Sequence, residues 1–218
     1  MLKFIIFALT VALCEAGPAN NVVRPCRLDD LKCIRDNISA NSNCNANVRG
    51  SIPSEYVIPR FNFETPFFNA SYIDNNLIIR NNDACRVSEF FFNVKADTSV
   101  LAVDCPNLDL ESDRTLIQHA SLQEETTYNY HIRGIYPLIR LTTNLLNADR
   151  LNLCNAFTYA DVTALPIFKI DPKDRPTANF LSRDLSLLNI YERETFAYRP
   201  PQLIRQFVNS LICDFGCQ

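Results

Sequence analysis

Nine cysteines frame this 218-residue chain, and their placement constrains it more than their number. Cys14 lies in Met-Leu-Lys-Phe-Ile-Ile-Phe-Ala-Leu-Thr-Val-Ala-Leu-Cys-Glu-Ala-Gly, an opening with one basic residue, an apolar core and small Ala16 before Gly17. That pattern predicts a secretory signal peptide over residues 1–16, and its apolar run is shorter than the roughly 20 residues a membrane-spanning helix needs. Residues 17–218 then keep eight cysteines: Cys26, Cys33, Cys44, Cys85, Cys105, Cys154, Cys213 and Cys217. An even count in an oxidising compartment reads as four disulfides, each contributing about 2–4 kcal/mol, with no thiol left for a partner. Association with other chains is therefore expected to be noncovalent. The remaining length suffices to bury a core as one secreted domain.

One pairing follows from local pattern. Between Cys85 and Cys105 lie an apolar run, a polar break at Ala96-Asp97-Thr98 and a second apolar run, which predicts a β-hairpin. If Cys85 faces Cys105, Arg86 faces Asp104, Val87 faces Val103 and Phe90 faces Val100. A non-hydrogen-bonded antiparallel pair brings Cα atoms to about 4.5 Å, close enough for a directly opposed disulfide. In that register Phe90, Phe92 and Val94 share a face with Val100, and Phe91 shares the other with Leu101 and Val103. The hairpin is apolar on both faces, so an exposed Phe91 would mark a place for a partner to bind.

Elsewhere the cysteine partners stay open. Leu28, Leu31, Ile34 and Ile38 recur at helical spacing, predicting a short amphipathic helix from Cys26 to Ile38. Cys26 and Cys33 then bridge each other only if the helix bends or frays at Cys26, and a bond to Cys44 is the rival. Prolines at 53, 59 and 66 make 52–68 extended edge or lid chain. Strands are expected at 72–80, 127–133, 135–141, 151–159, 161–170 and 185–191, with a proline-punctuated charged loop at 171–177. In 127–133, Tyr128, Tyr130 and Ile132 fall on one face and His131 on the polar one. After Pro200-Pro201, Leu203, Ile204, Phe207, Val208, Leu211 and Ile212 form one helical stripe. The expected fold is mostly β, in the α+β class: a single antiparallel sheet domain, stapled by disulfides, with short amphipathic helices at both ends.

Composition narrows the chemistry. The formal net charge of −3 offers nothing to nucleic acid or to an anionic membrane surface. There are two histidines and four glycines, with no zinc spacing, phosphate loop or nucleophile elbow. No cofactor, no metal and no catalytic residue is expected. The acidic cluster 109–113 and Glu124-Glu125 lack the spacing of a calcium loop and read as solvated faces. Cys213 and Cys217 enclose three residues where redox motifs have two, so they read as structural. Arginine supplies 16 of the 20 basic residues beyond the leader, a bias that suits planar, bidentate pairing. Asn37-Ile-Ser39 and Asn69-Ala-Ser71 are acceptor sequences for N-linked glycan, expected at both asparagines.

At Arg49-Gly-Ser-Ile-Pro-Ser-Glu-Tyr-Val-Ile-Pro-Arg-Phe-Asn-Phe-Glu-Thr-Pro-Phe-Phe-Asn-Ala-Ser71 the sequence resembles the fibrohexamerins, small glycoproteins of lepidopteran silk. The likeness continues through Val103-Asp-Cys-Pro-Asn-Leu-Asp-Leu-Glu-Ser-Asp-Arg114 and Asp161-Val-Thr-Ala-Leu-Pro-Ile-Phe-Lys-Ile-Asp-Pro-Lys-Asp-Arg-Pro176. It implies a non-catalytic protein secreted into the silk-gland lumen, with glycan at Asn37 and Asn69 and the eight cysteines in disulfides. The implied partners are the fibroin heavy and light chains, bound noncovalently and helped through transport. A second likeness, in Cys26 and Cys33 on a short helix followed by proline-rich extended chain, is to the takeout and juvenile-hormone-binding proteins. It implies a curved sheet around a helix and, as the alternative function, a secreted carrier of an apolar small molecule.

Overall fold

The computed structural model describes residues 25–65, 69–93, 95–119, 124–164, 166–169 and 198–217, with single positions 173, 175, 179 and 196. The expected leader, most of the 171–177 loop and the expected strand at 185–191 lie outside the described residues.

Two long strands form the spine. β4 (Thr98–Gln118) and β5 (Thr126–Leu146) each run 21 residues and pair antiparallel from end to end, Thr98 against Leu146 and Gln118 against Thr126. Shorter strands flank them. β1 (Glu55–Thr65) pairs with β2 (Ala70–Arg80), and β2 with the later half of β4. β3 (Arg86–Asn93) pairs with the first half of β4, while β6 (Phe157–Val162) and β7 (Ile167–Lys169) pair with β5. All seven belong to one antiparallel sheet. The expected mostly β fold with helices near both ends is what forms.

Local physics explains where the expected strands grew or moved. The break foreseen at Gly134 is absent, because Gly134 stays in the ladder opposite Leu110. The proline-rich stretch became edge strand β1, the position where a missing N–H costs no ladder bond. In β4 the inward positions Leu101, Val103 and Cys105 give way to Leu108 and Leu110, and in β5 Tyr136 gives way to Ile139 and Leu141. Both strands therefore switch faces at one level of their ladder, at Pro106-Asn107 and Pro137-Leu138, with Asn107 left-handed at φ 50°. Asn76, also at φ 50°, marks the register shift between β2 and β4. Asparagine is among the few residues other than glycine that tolerate this conformation.

Two helices among the described residues cover the inner face. α1 (Leu31–Ala40) starts at the Asp30 cap, whose side chain accepts a hydrogen bond from the Cys33 N–H. It begins later than the expected Cys26, and Leu28 is exposed rather than on its buried face. α2 (Pro200–Leu211) buries Leu203, Ile204, Phe207 and Val208, with Ile212 just past its end. These join Ile34, Ile38, Leu77, Ile79, Leu101, Val103 and Leu141 in the main core. A second cluster of Phe63, Tyr72, Leu116, Tyr130 and Ile132 fills the other end of the same face. Arg35 ties the helices together, donating to the Leu211 and Ile212 carbonyls at the end of α2 at 2.9 and 3.0 Å.

The disulfides are Cys26–Cys33, Cys44–Cys213, Cys85–Cys105 and Cys154–Cys217. Cys26 bonds Cys33 and not its rival, since the chain turns before Leu31 and brings their Cα atoms to 5.7 Å. Cys85 lies directly across from Cys105 with Cα atoms 4.1 Å apart. Arg86 faces Asp104 and Val87 faces Val103, but a bulge at Ser88 then adds one residue to β3. Phe90 consequently faces Leu101, not Val100, and it is Phe91 that lies across from Val100. The bulge turns Phe90 and Phe92 onto the core, their rings edge to face at 5.4 Å, and sends Phe91 outward.

Candidate interaction surface

The outer face of the sheet is apolar at one end. Phe91 of β3 is 43% exposed, Leu146 of β5 65%, and Phe157 and Tyr159 of β6 71% and 45%. The ladder links them in a row, with Phe91 opposite Val100, Val100 opposite Asn144, and Asn144 opposite Phe157. At about 4.8 Å per strand the row is roughly 14 Å across. Phe157 and Tyr159 point the same way from β6, their ring centroids 6.3 Å apart. Aromatic side chains that bring large area and few rotatable bonds to an exposed face are the usual anchors of protein interfaces.

Charge borders this patch. Along the outer face of β4, Asp104, Asp109, Glu111 and Asp113 point at cations on the neighbouring strands. Arg140 grips Asp104 at 2.7 and 2.8 Å, Arg133 grips Asp109 at 2.6 Å, and Arg80 spans Glu111 at 2.6 Å and Glu55 at 2.8 Å. His131 sits between Asp113 and Glu111. The Arg140 hydrogen bond, aided by Ser88, holds the Asp104 carboxyl below the usual carboxylate range, while the same contact raises Arg140. Asp109 raises Arg133, and Glu111 raises Arg80. The arginine bias is thus spent in part on cross-strand pairs within the sheet. The acidic cluster expected to be a solvated face is a row of paired carboxylates, with Asp109 only 6% exposed. Among the described residues no group of three or more His, Cys, Asp or Glu side chains could hold a metal ion.

The inner face holds a polar centre that sequence reading missed. Asp74 is wholly buried and accepts hydrogen bonds from Arg114 Nε at 2.6 Å, Ser112 Oγ at 3.1 Å and an Arg199 guanidinium nitrogen at 2.8 Å. Arg114 lies over the Tyr72 ring, and Arg199 packs against the Phe63 and Phe196 rings. The signal was present in β2, where Asp74 shares the parity of buried Ala70 and Tyr72. A carboxylate on that face needs a buried cation, but nothing local said that the cations would come from β4 and from the residue before Pro200.

A polar group of another kind gathers near the second acceptor sequence. Ser71 Oγ lies 2.6 Å from His119 Nε2, and His119 Nδ1 lies 2.8 Å from Glu125. The order is that of a nucleophile, a base and an orienting carboxylate. Yet Ser71, the second residue of β2, is paired with β1 on one side and β4 on the other, so the neighbouring backbone donors belong to ladders and are not free to stabilise an oxyanion. The group works as a clasp between the start of β2, the end of β4 and the lead into β5.

The two acceptor asparagines differ sharply. Asn69 is exposed in the left-handed turn between β1 and β2 at φ 48°, its amide donating to the His119 carbonyl at 2.8 Å. Asn37 is 4% exposed within α1, and its amide nitrogen lies 2.8 Å from Cys26 Sγ and 3.0 Å from the Cys33 carbonyl. The amide at which a glycan is expected there is buried in the folded chain.

Comparison with known proteins agrees with this architecture. The family model described as Fibroin P25 matches residues 22–217. Among solved structures, the crystal structure of Epiphyas postvittana Takeout 1 superposes with a TM-score of 0.53 at 10% sequence identity, covering 87% of this chain and 95% of that one. At that identity the likeness is one of fold.

Proposed function

Since the chain belongs to the fibroin P25 family, we propose that it is a non-catalytic secreted glycoprotein that binds the disulfide-linked fibroin heavy and light chains noncovalently and assists their transport and secretion. The observation that carries this reading is the exposed row Phe91, Leu146, Phe157 and Tyr159 beside the paired charges of β4 and β5. An apolar, β-prone partner docks its side chains on such a row. The surrounding charged surface and the glycan at Asn69 then keep the complex dispersed. With the eight described cysteines in internal bonds, no thiol among the described residues remains for a covalent link.

The test is co-purification with fibroin chains in non-denaturing buffer, followed by release in denaturant without reductant. Phe91→Ser combined with Phe157→Ser removes two anchors while changing stability by less than about 1 kcal/mol, because both are exposed. The double variant should be secreted but recover at least tenfold less fibroin. Wild-type recovery from the variant, or a complex that only reductant dissolves, counts against the reading.

The takeout-like fold favours a second reading, a carrier of an apolar small molecule. Native mass spectrometry of the secreted protein separates the two, since a carrier retains a lipid-sized adduct and a fibroin-binding scaffold does not.

A further inference from the structure

We propose that closure of the Cys26–Cys33 bridge withdraws Asn37 from N-glycosylation, so that disulfide formation and sugar transfer compete for one short segment and the folded chain carries its glycan at Asn69. The proposal rests on the reading that the chain enters the secretory pathway, and the Asn69 glycan reports that reading separately.

Sugar transfer replaces one hydrogen on the asparagine amide. The Nδ2–C1 bond forms, the bond from C1 to the lipid pyrophosphate donor breaks, and the proton leaves with the pyrophosphate side. An asparagine undergoes this only when its amide is accessible and when the hydroxyl two residues on can sit beside it. The folded protein denies both at Asn37. Its amide nitrogen contacts Cys26 Sγ at 2.8 Å, the Cys33 carbonyl at 3.0 Å and Cys33 Sγ at 3.7 Å, so both half-cystines form its wall. In a helix, residues two apart point to different faces, and Ser39 Oγ instead donates to the Asp36 carbonyl at 3.3 Å. Ile38, between them, is 1% exposed in the main core and anchors this face of α1.

The competition is reciprocal. Closing the bridge passes two electrons and two protons from the Cys26 and Cys33 thiols to a disulfide oxidant of the secretory lumen, and the product packs against the Asn37 amide. A sugar attached first would occupy the space of Cys26 and hold the bridge open. Asn69 escapes this, since its turn leaves the side chain exposed whichever state α1 is in.

Synthesis of the full chain with secretory microsomes tests the proposal by counting glycans on a gel. Under oxidising conditions the wild type should carry one glycan, lost on Asn69→Gln. The double variant Cys26→Ser/Cys33→Ser should carry two, the second lost on Asn37→Gln. Wild type made with reductant should match the double variant, which guards against an effect of the serines themselves. A peptide holding both an intact Cys26–Cys33 bond and a glycosylated Asn37 overturns the proposal, as does a single glycan on the double variant. If neither asparagine is modified in any sample, the proposal and the secretory reading fall together. If only the Asn69 glycan appears throughout, the proposal alone falls.

Discussion

Asp74 shows how one residue can hold an interior together at a cost. A carboxylate with no exposure is stable only when its hydrogen-bonding capacity is met, and here three side chains from β4 and the start of α2 meet it. Arg114 grips both carboxylate oxygens, at 2.6 and 3.1 Å, and Arg199 adds the second. Removing the carboxylate leaves guanidinium groups in an apolar setting, which is worse than never having built the pair. Asp74→Ala should therefore lower stability by about 3–5 kcal/mol in denaturant titration. By contrast Arg27→Ala, which removes an ion pair to Asp29 between side chains that are 84% and 73% exposed, should change the midpoint little. Equal losses in the two variants would mean that the buried centre is not the structural lock described.

Between residue and molecule, the β3 bulge decides which phenylalanine is core and which is surface. Without Ser88 as the extra residue, Phe91 would share the face of Leu101 and Val103. With it, Phe90 takes that place and Phe91 turns out. Phe90→Ala should cost about 1–3 kcal/mol, less than a fully buried phenylalanine because the ring is only half-buried, and Phe91→Ala well under 1 kcal/mol. The reverse ranking would place the bulge elsewhere. Here the limits of sequence reading have a physical cause. Cysteine parity, the hairpin turn, the Tyr128, Tyr130 and Ile132 face and the stripe of α2 were legible because each is a local periodicity. The bulge was not, since one inserted residue leaves no mark in an apolar run that is hydrophobic at every position. The outward row was half legible: Phe91 was a candidate, while Phe157 and Tyr159 passed as ordinary strand alternation. The joining of β4 and β5 into 21-residue strands was obscured by Pro106, Gly134 and Pro137, which the matched face switch absorbs.

At the scale of the whole molecule, two of the four disulfides gather both ends of the described chain at one place. Cys44–Cys213 joins the segment after α1 to the end of α2, and Asn45 pairs with Asp214 beside it. Cys154–Cys217 fastens the loop between β5 and β6 to the same tail. A load applied between residues 26 and 217 runs along α1 to Cys44, crosses the sulfur bond to Cys213 and reaches the tail without entering the sheet. The sheet hangs beside the line of tension rather than in it. Stretching the oxidised protein between those points should unravel only the flanking segments. Reduction should release the enclosed chain, whose 169-residue separation corresponds to about 600 Å of added length. A force trace that yields this length without reductant would show that the sheet bears the load. A protein wired in this way can be pulled along by its ends while its sheet keeps its shape.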